Sequence, residues 1–92
     1  MNPWNATSPK GRLKPTSSLN ILHTDTVDGW SIAEMTWDGQ TGRKALRWDG
    51  DLDNNNDRGN PTSHGNGTWF VLPDAIAELV LKSVTPTPAS KP

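Results

Sequence analysis

The sequence predicts a small α+β domain: a three-stranded antiparallel sheet, built of a hairpin plus a third strand, packed on one C-terminal helix. Three observations carry that expectation. Residues 30–37 and 44–48 are rich in strand formers and flank a turn with two glycines. Thr68-Trp69-Phe70-Val71-Leu72 is a short aromatic and β-branched run. Pro73-Asp74 then opens a stretch whose apolar residues recur every three or four positions.

Each element has a local cause. Alternation in the first strand puts Trp30 and Ile32 on one face and Ala33, Met35 and Trp37 on the other. Asp38-Gly39-Gln40-Thr41-Gly42 suits a hairpin turn, because its glycines accept positive φ without a Cβ clash. Lys44 to Trp48 returns, with Lys44, Leu46 and Trp48 on one face and Ala45 and Arg47 on the other. Residues 49–67 hold almost no apolar side chain except Leu52 and read as a long loop. Pro73 fits a first helical turn, Asp74 the positive helix end and Lys82 the negative end.

Trp30, Trp37, Leu46, Trp48, Trp69, Phe70, Leu72, Ile76, Leu79 and Val80 are the candidate core. One helix cannot cover both faces of a sheet. One face is therefore expected to stay exposed or to meet a second chain.

The chain of 92 residues is long enough for one domain. Residues 1–27 are rich in Asn, Pro, Ser, Thr and Lys and read as a flexible arm, made basic by Lys10, Arg12 and Lys14. Residues 28–83 form the domain. Residues 84–92 carry Pro86, Pro88 and Pro92, cannot continue the helix, and read as a disordered tail.

Composition excludes several classes of protein. The absence of cysteine excludes a disulfide framework, a thiolate zinc site and a cysteine nucleophile. A secreted domain this small usually needs disulfide staples, so a cytoplasmic location is expected. No apolar run approaches the roughly 20 residues of a membrane span, so no membrane partner is expected. Net charge is −1, and residues 28–83 hold nine acids against five cations. That balance argues against a general polyanion binder.

One stretch resembles a known group. It comprises Trp37-Asp38-Gly39, Ala45-Leu46-Arg47-Trp48-Asp49-Gly50-Asp51, Gly59-Asn60-Pro61 and Thr68-Trp69-Phe70-Val71-Leu72-Pro73. It is similar to short uncharacterised bacterial proteins of accessory DNA, such as plasmids, prophages and integron cassettes. The similarity covers residues 28–80. It implies a bacterial cytoplasmic protein and brings no activity or catalytic residue with it.

Three constellations are candidates for chemistry. Asp49, Asp51, Asp53 and Asp57 have the alternating oxygen spacing of a calcium loop, with Asn54 at its glycine position and Asn60 at its glutamate position. Their alternative reading is a solvated loop of turn formers. Arg43, Lys44, Arg47 and Arg58 lie near Trp37 and Trp48, a pairing that can stack bases or bind phosphate. Equally, these cations can pair with Glu34 or Asp38 across the hairpin. His23 and His64 lack a nucleophile and an orienting acid at useful spacing.

The expected function is therefore that of a small binding protein, without catalysis or cofactor. It would act on another protein or on a second copy of itself as a homodimer. Trp37, Arg47, Trp48 and Trp69 are the candidate partner-binding residues, since tryptophan and arginine anchor interfaces. The alternative is nucleic-acid binding by the basic arm and the Arg/Trp hairpin face.

Overall fold

The computed structural model describes every residue except Pro9. It has the α+β architecture, with one more strand in the sheet than expected. Two short 3-10 turns, Pro3–Asn5 and Thr16–Ser18, precede β1 (Asn20–Asp25), β2 (Trp30–Trp37) and β3 (Gln40–Trp48). A small hairpin of β4 (Thr62–Ser63) and β5 (Asn66–Gly67) follows, then β6 (Phe70–Leu72) and α1 (Asp74–Lys82). The main sheet runs β1-β2-β3-β6, with every neighbouring pair antiparallel.

The central hairpin has the expected alternation. β2 and β3 pair from Trp30↔Trp48 to Trp37↔Gln40, with a shift in register between Met35 and Trp37. The turn is tighter than read: Asp38 and Gly39 alone make it, at φ 51° and 79°. Positive φ at both central residues matches the right-handed twist of the flanking strands. The helix begins directly after Pro73, which stands at the N-cap with no side-chain cap, and Asp74 is in its first turn. Its buried stripe is turned one residue from the expected one. Ala77, Val80 and Leu81 pack on Ile32, Leu46 and Leu72, while Ile76 and Leu79 are exposed.

The arm expected over residues 1–27 is instead part of the folded unit. Met1, Ala6, Leu13, Leu19 and Ile21 are buried against Ala33, Met35, Trp37, Ala45 and Trp69. The segment thus covers the sheet face that the helix leaves free, and its last residues add β1 as a fourth strand. Several of its backbone groups are paired on the way. Lys14 N–H donates to the Thr36 carbonyl at 3.2 Å, and Asp38 N–H to that of Arg12 at 2.8 Å. Trp69 Nε1–H donates to the Ala6 carbonyl at 2.7 Å. Few apolar residues suffice because an apolar sheet face already awaits them.

The tail is likewise seated. Residues 87–90 run beside the outer edge of β1, where Thr24 N–H donates to the Thr87 carbonyl at 2.9 Å. Among the described residues, no helix is long and apolar enough to cross a membrane.

Candidate functional site

Period-two alternation at the end of β3 divides three consecutive residues between two environments. Arg47 and Asp49 turn inward, under the N-terminal segment. Trp48, between them, faces the helix side and is 57% exposed. Cross-strand pairing sets Trp30 opposite Trp48 and Phe70 opposite Leu46. Phe70 is 63% exposed. With nine residues, α1 covers only part of this face. Between Trp30, Leu46, Trp48 and Phe70 on the sheet and Val80 on the helix lies a groove of about 630 Å³, rimmed by Asn60 and Pro61.

The groove is held from beneath. Arg47 Nε–H donates to Asp49 Oδ1 at 2.9 Å, and neither side chain reaches solvent. The two remaining arms of the guanidinium tie the long loop at its middle and just past its end. Nη1 donates to the Thr68 carbonyl at 2.6 Å and Nη2 to the Arg58 carbonyl at 2.5 Å. Ser31 Oγ–H donates to Asp49 Oδ2 at 2.5 Å. Burial pushes the Asp49 carboxyl up and the Arg47 guanidinium down, and their mutual attraction opposes both shifts.

Trp48 is fixed through its own backbone as well. Its N–H donates to the Asn60 carbonyl at 2.7 Å, and Asn60 N–H returns a bond of 3.0 Å. The loop can approach this closely because residue 59 is glycine. A Cβ there would lie 2.0 Å from the Trp48 carbonyl oxygen, and its φ is +61°.

These positions correct three of the four expected partner-binding residues. Trp37, Trp69 and Arg47 are only 8%, 4% and 3% exposed and belong to the core. The N-terminal segment covers their face, which alternation alone could not reveal. Trp48 alone of the four faces solvent. Phe70 and Trp30, expected in the core, are its neighbours at the groove. The strand register was the signal that would have joined them.

The expected calcium ligands are corrected too. Asp49 is consumed by Arg47 and Ser31. Asp51 Oδ1 accepts from Asp53 N–H at 3.0 Å. Asp57 accepts from Asp51 N–H at 2.9 Å and Gly59 N–H at 3.2 Å. Those backbone donors hold the Asp57 carboxyl below its usual range. Among the described residues, no three or more His, Asp or Glu side chains converge to hold a metal ion. Asp51 and Asp57 shape the loop by capping its own backbone, as turn-forming residues do.

Several of the other polar candidates have partners, and Arg58 is exposed. Lys44 lies 3.9 Å from Glu34, its partner across the hairpin, and Arg43 lies 3.7 Å from Asp74. Arg12 pairs with Asp38 at 2.6 Å, which lowers the Asp38 carboxyl, and its guanidinium lies over the Trp37 ring. His64 Nδ1 meets the neighbouring Ser63 hydroxyl at 3.1 Å, and His23 Nδ1 accepts from Thr87 N–H at 3.0 Å. The histidines thus serve separate places. No family model matches the chain, and neither a curated protein nor a solved structure matches it.

Proposed function

We propose that this is a small non-catalytic binding protein whose groove between sheet and helix seats an apolar side chain of a protein partner. The observation that carries the reading is the pair Trp48 and Phe70. Both are more than half exposed, at the mouth of an apolar groove, on a backbone held by buried bonds. Exposing two large aromatic side chains has a cost in water that covering them would remove. At about 25 cal/mol per Å², covering ~100 Å² on each would contribute roughly 2.5 kcal/mol per residue. A rigid aromatic anchor beside a pocket is the usual form of an interface hot spot.

The nucleic-acid alternative has less support. Base stacking on Trp48 would call for cations beside it, yet Arg47 is turned inward, Arg43 and Lys44 face carboxylates, and Arg58 is the one exposed cation of the four. The test uses a chain with a single cysteine, Thr41→Cys, at the hairpin end far from Trp48. Biotinylated there, it serves as bait in nuclease-treated host extract. A stoichiometric protein captured by this bait and lost with the added change Trp48→Ala supports the reading. Equal capture by both baits, or binding that nuclease abolishes, contradicts it.

A further inference from the structure

The tail contacts have a pattern that the groove does not explain. Thr24 N–H donates to the Thr87 carbonyl, and Thr87 N–H donates to His23 Nδ1. Ala89 N–H donates to Thr24 Oγ1 at 3.1 Å, and Trp4 Nε1–H donates to the Ala89 carbonyl at 2.8 Å. Asn2 Nδ2–H reaches the Ser90 carbonyl at 3.4 Å. Lys91 Nζ lies 5.3 Å from the centre of the Trp4 ring. Five hydrogen bonds thus read only the backbone of an extended segment, and one aromatic face reads a cation.

The prolines fit this reading. In an extended chain, neighbouring residues direct their N–H and C=O groups to opposite sides. Residues 87 and 89 direct theirs at the protein, and the alternation ends at Ser90, whose carbonyl also meets Asn2. Pro86 and Pro88 occupy the alternate positions, where an N–H would face solvent and none is needed. Proline at those places restricts φ and keeps the segment extended before it docks. It also removes the outward donors that would let another strand add to this edge.

The receiving side is built from within. Thr24 is buried, and its hydroxyl lies 2.9 Å from Ser31 Oγ. Ser31 gives its own proton to Asp49. Thr24 must therefore give its proton to Ser31, which leaves Thr24 Oγ1 as an acceptor for Ala89 N–H. The buried carboxylate sets the polarity of the site through two hydroxyls.

The geometry points to a peptide-binding track along the outer edge of β1 and the N-terminal turn. Its ligand is an extended segment with prolines at alternate positions and a cation after them. Residues 87–91 are its resident ligand, and a second peptide of that pattern competes for it. This site is spatially separate from the groove, although both rest on Asp49 and the His23 ring lies 5.4 Å from that of Trp30.

The test uses the full chain carrying Ala89→Pro, labelled with ¹⁵N, and an acetylated peptide of residues 84–92 with the unaltered sequence. The substitution deletes the N–H that Thr24 accepts and leaves the core untouched. The readout is the Trp4 indole N–H resonance and its exchange with solvent. In the unaltered chain that proton is protected. In the variant it is expected to exchange at least tenfold faster, and the peptide returns it saturably toward its original position at about millimolar concentration, the effective concentration of a tethered segment. A peptide that itself carries the proline does not. Two results overturn the proposal: an indole signal unchanged by Ala89→Pro, or one that the unaltered peptide fails to restore at ~5 mM, roughly the weakest affinity worth calling a site.

Discussion

Arg47 and Asp49 share a buried ion pair of 2.9 Å across the one residue that separates them, Trp48. The pair turns two consecutive alternations of the strand inward and leaves the tryptophan outward. A buried charge whose partner is removed costs about 3–5 kcal/mol, whereas replacing both partners with apolar groups costs much less. Asp49→Asn is therefore expected to lower stability by about that amount in urea denaturation. The double change Arg47→Met with Asp49→Leu also takes the donors from the Thr68 and Arg58 carbonyls and is expected to be destabilising as well. Equal stability of Asp49→Asn and the unaltered chain would remove the pair from the account.

Two glycines in the left-handed region give a controlled comparison. At Gly39, φ is +79° and nothing lies within 4 Å of a built Cβ. At Gly59, φ is +61° and a Cβ would meet the Trp48 backbone. Gly39→Ala should cost only the conformational penalty, about 1 kcal/mol. Gly59→Ala adds overpacking against backbone, for a total of about 2–4 kcal/mol. Similar midpoints in thermal unfolding for the two variants would show that the loop is not pressed against Trp48.

The tryptophans should separate by role. Trp69 is buried beside Ala6 and under the Arg47 guanidinium, 5.8 Å from its ring. Trp69→Ala is expected to cost about 3–5 kcal/mol. Trp48→Ala and Phe70→Ala remove exposed side chains and should each cost about 1 kcal/mol or less. Against a captured partner the order reverses: Trp48→Ala weakens binding at least about tenfold, while stability barely changes. Calorimetry and a binding titration on the same samples check both halves.

Asp57 carries a pH dependence whose sign can be worked out. Two backbone donors depress its carboxyl below the ordinary 3.8. A depressed folded value contributes stability above the unfolded one, and that contribution is lost as pH falls through the folded value. Asp57→Asn should therefore be less stable than the unaltered chain at neutral pH. The gap should begin to narrow as pH falls below the ordinary 3.8 and keep narrowing toward the lower folded value. Unfolding midpoints at pH 7 and pH 3 measure it, and a gap that widens in acid would contradict the assigned bonds.

What could be read from the sequence was local. A turn within Asp38–Gly42, the alternation of β2 and β3, and a helix start at Pro73-Asp74 are each dictated by neighbouring residues. The cover over the second sheet face was not legible. Leu13, Leu19 and Ile21 have no period among their polar neighbours, and they are buried because a distant apolar face fits them. Alternation placed Arg47 on the face opposite Trp48, as observed, but could not say which face was covered. The aspartate spacing suggested a cation loop. In the structure the first of these residues continues the β3 alternation instead, so Asp49 falls on the side of Arg47. Loop aspartates resemble metal ligands in sequence because both tasks need oxygen atoms at short spacing.

The most direct measurement is a ¹⁵N spectrum of the tryptophan indoles of the labelled chain in concentrated, nuclease-treated host extract. The five tryptophans stand in distinct places: Trp4 at the tail, Trp37 and Trp69 in the core, Trp30 and Trp48 at the groove. The Trp48 and Trp30 signals are expected to shift or broaden in extract while those of Trp37 and Trp69 stay in place. Groove signals that remain unchanged in extract, with the chain folded and its core signals intact, would contradict this expectation.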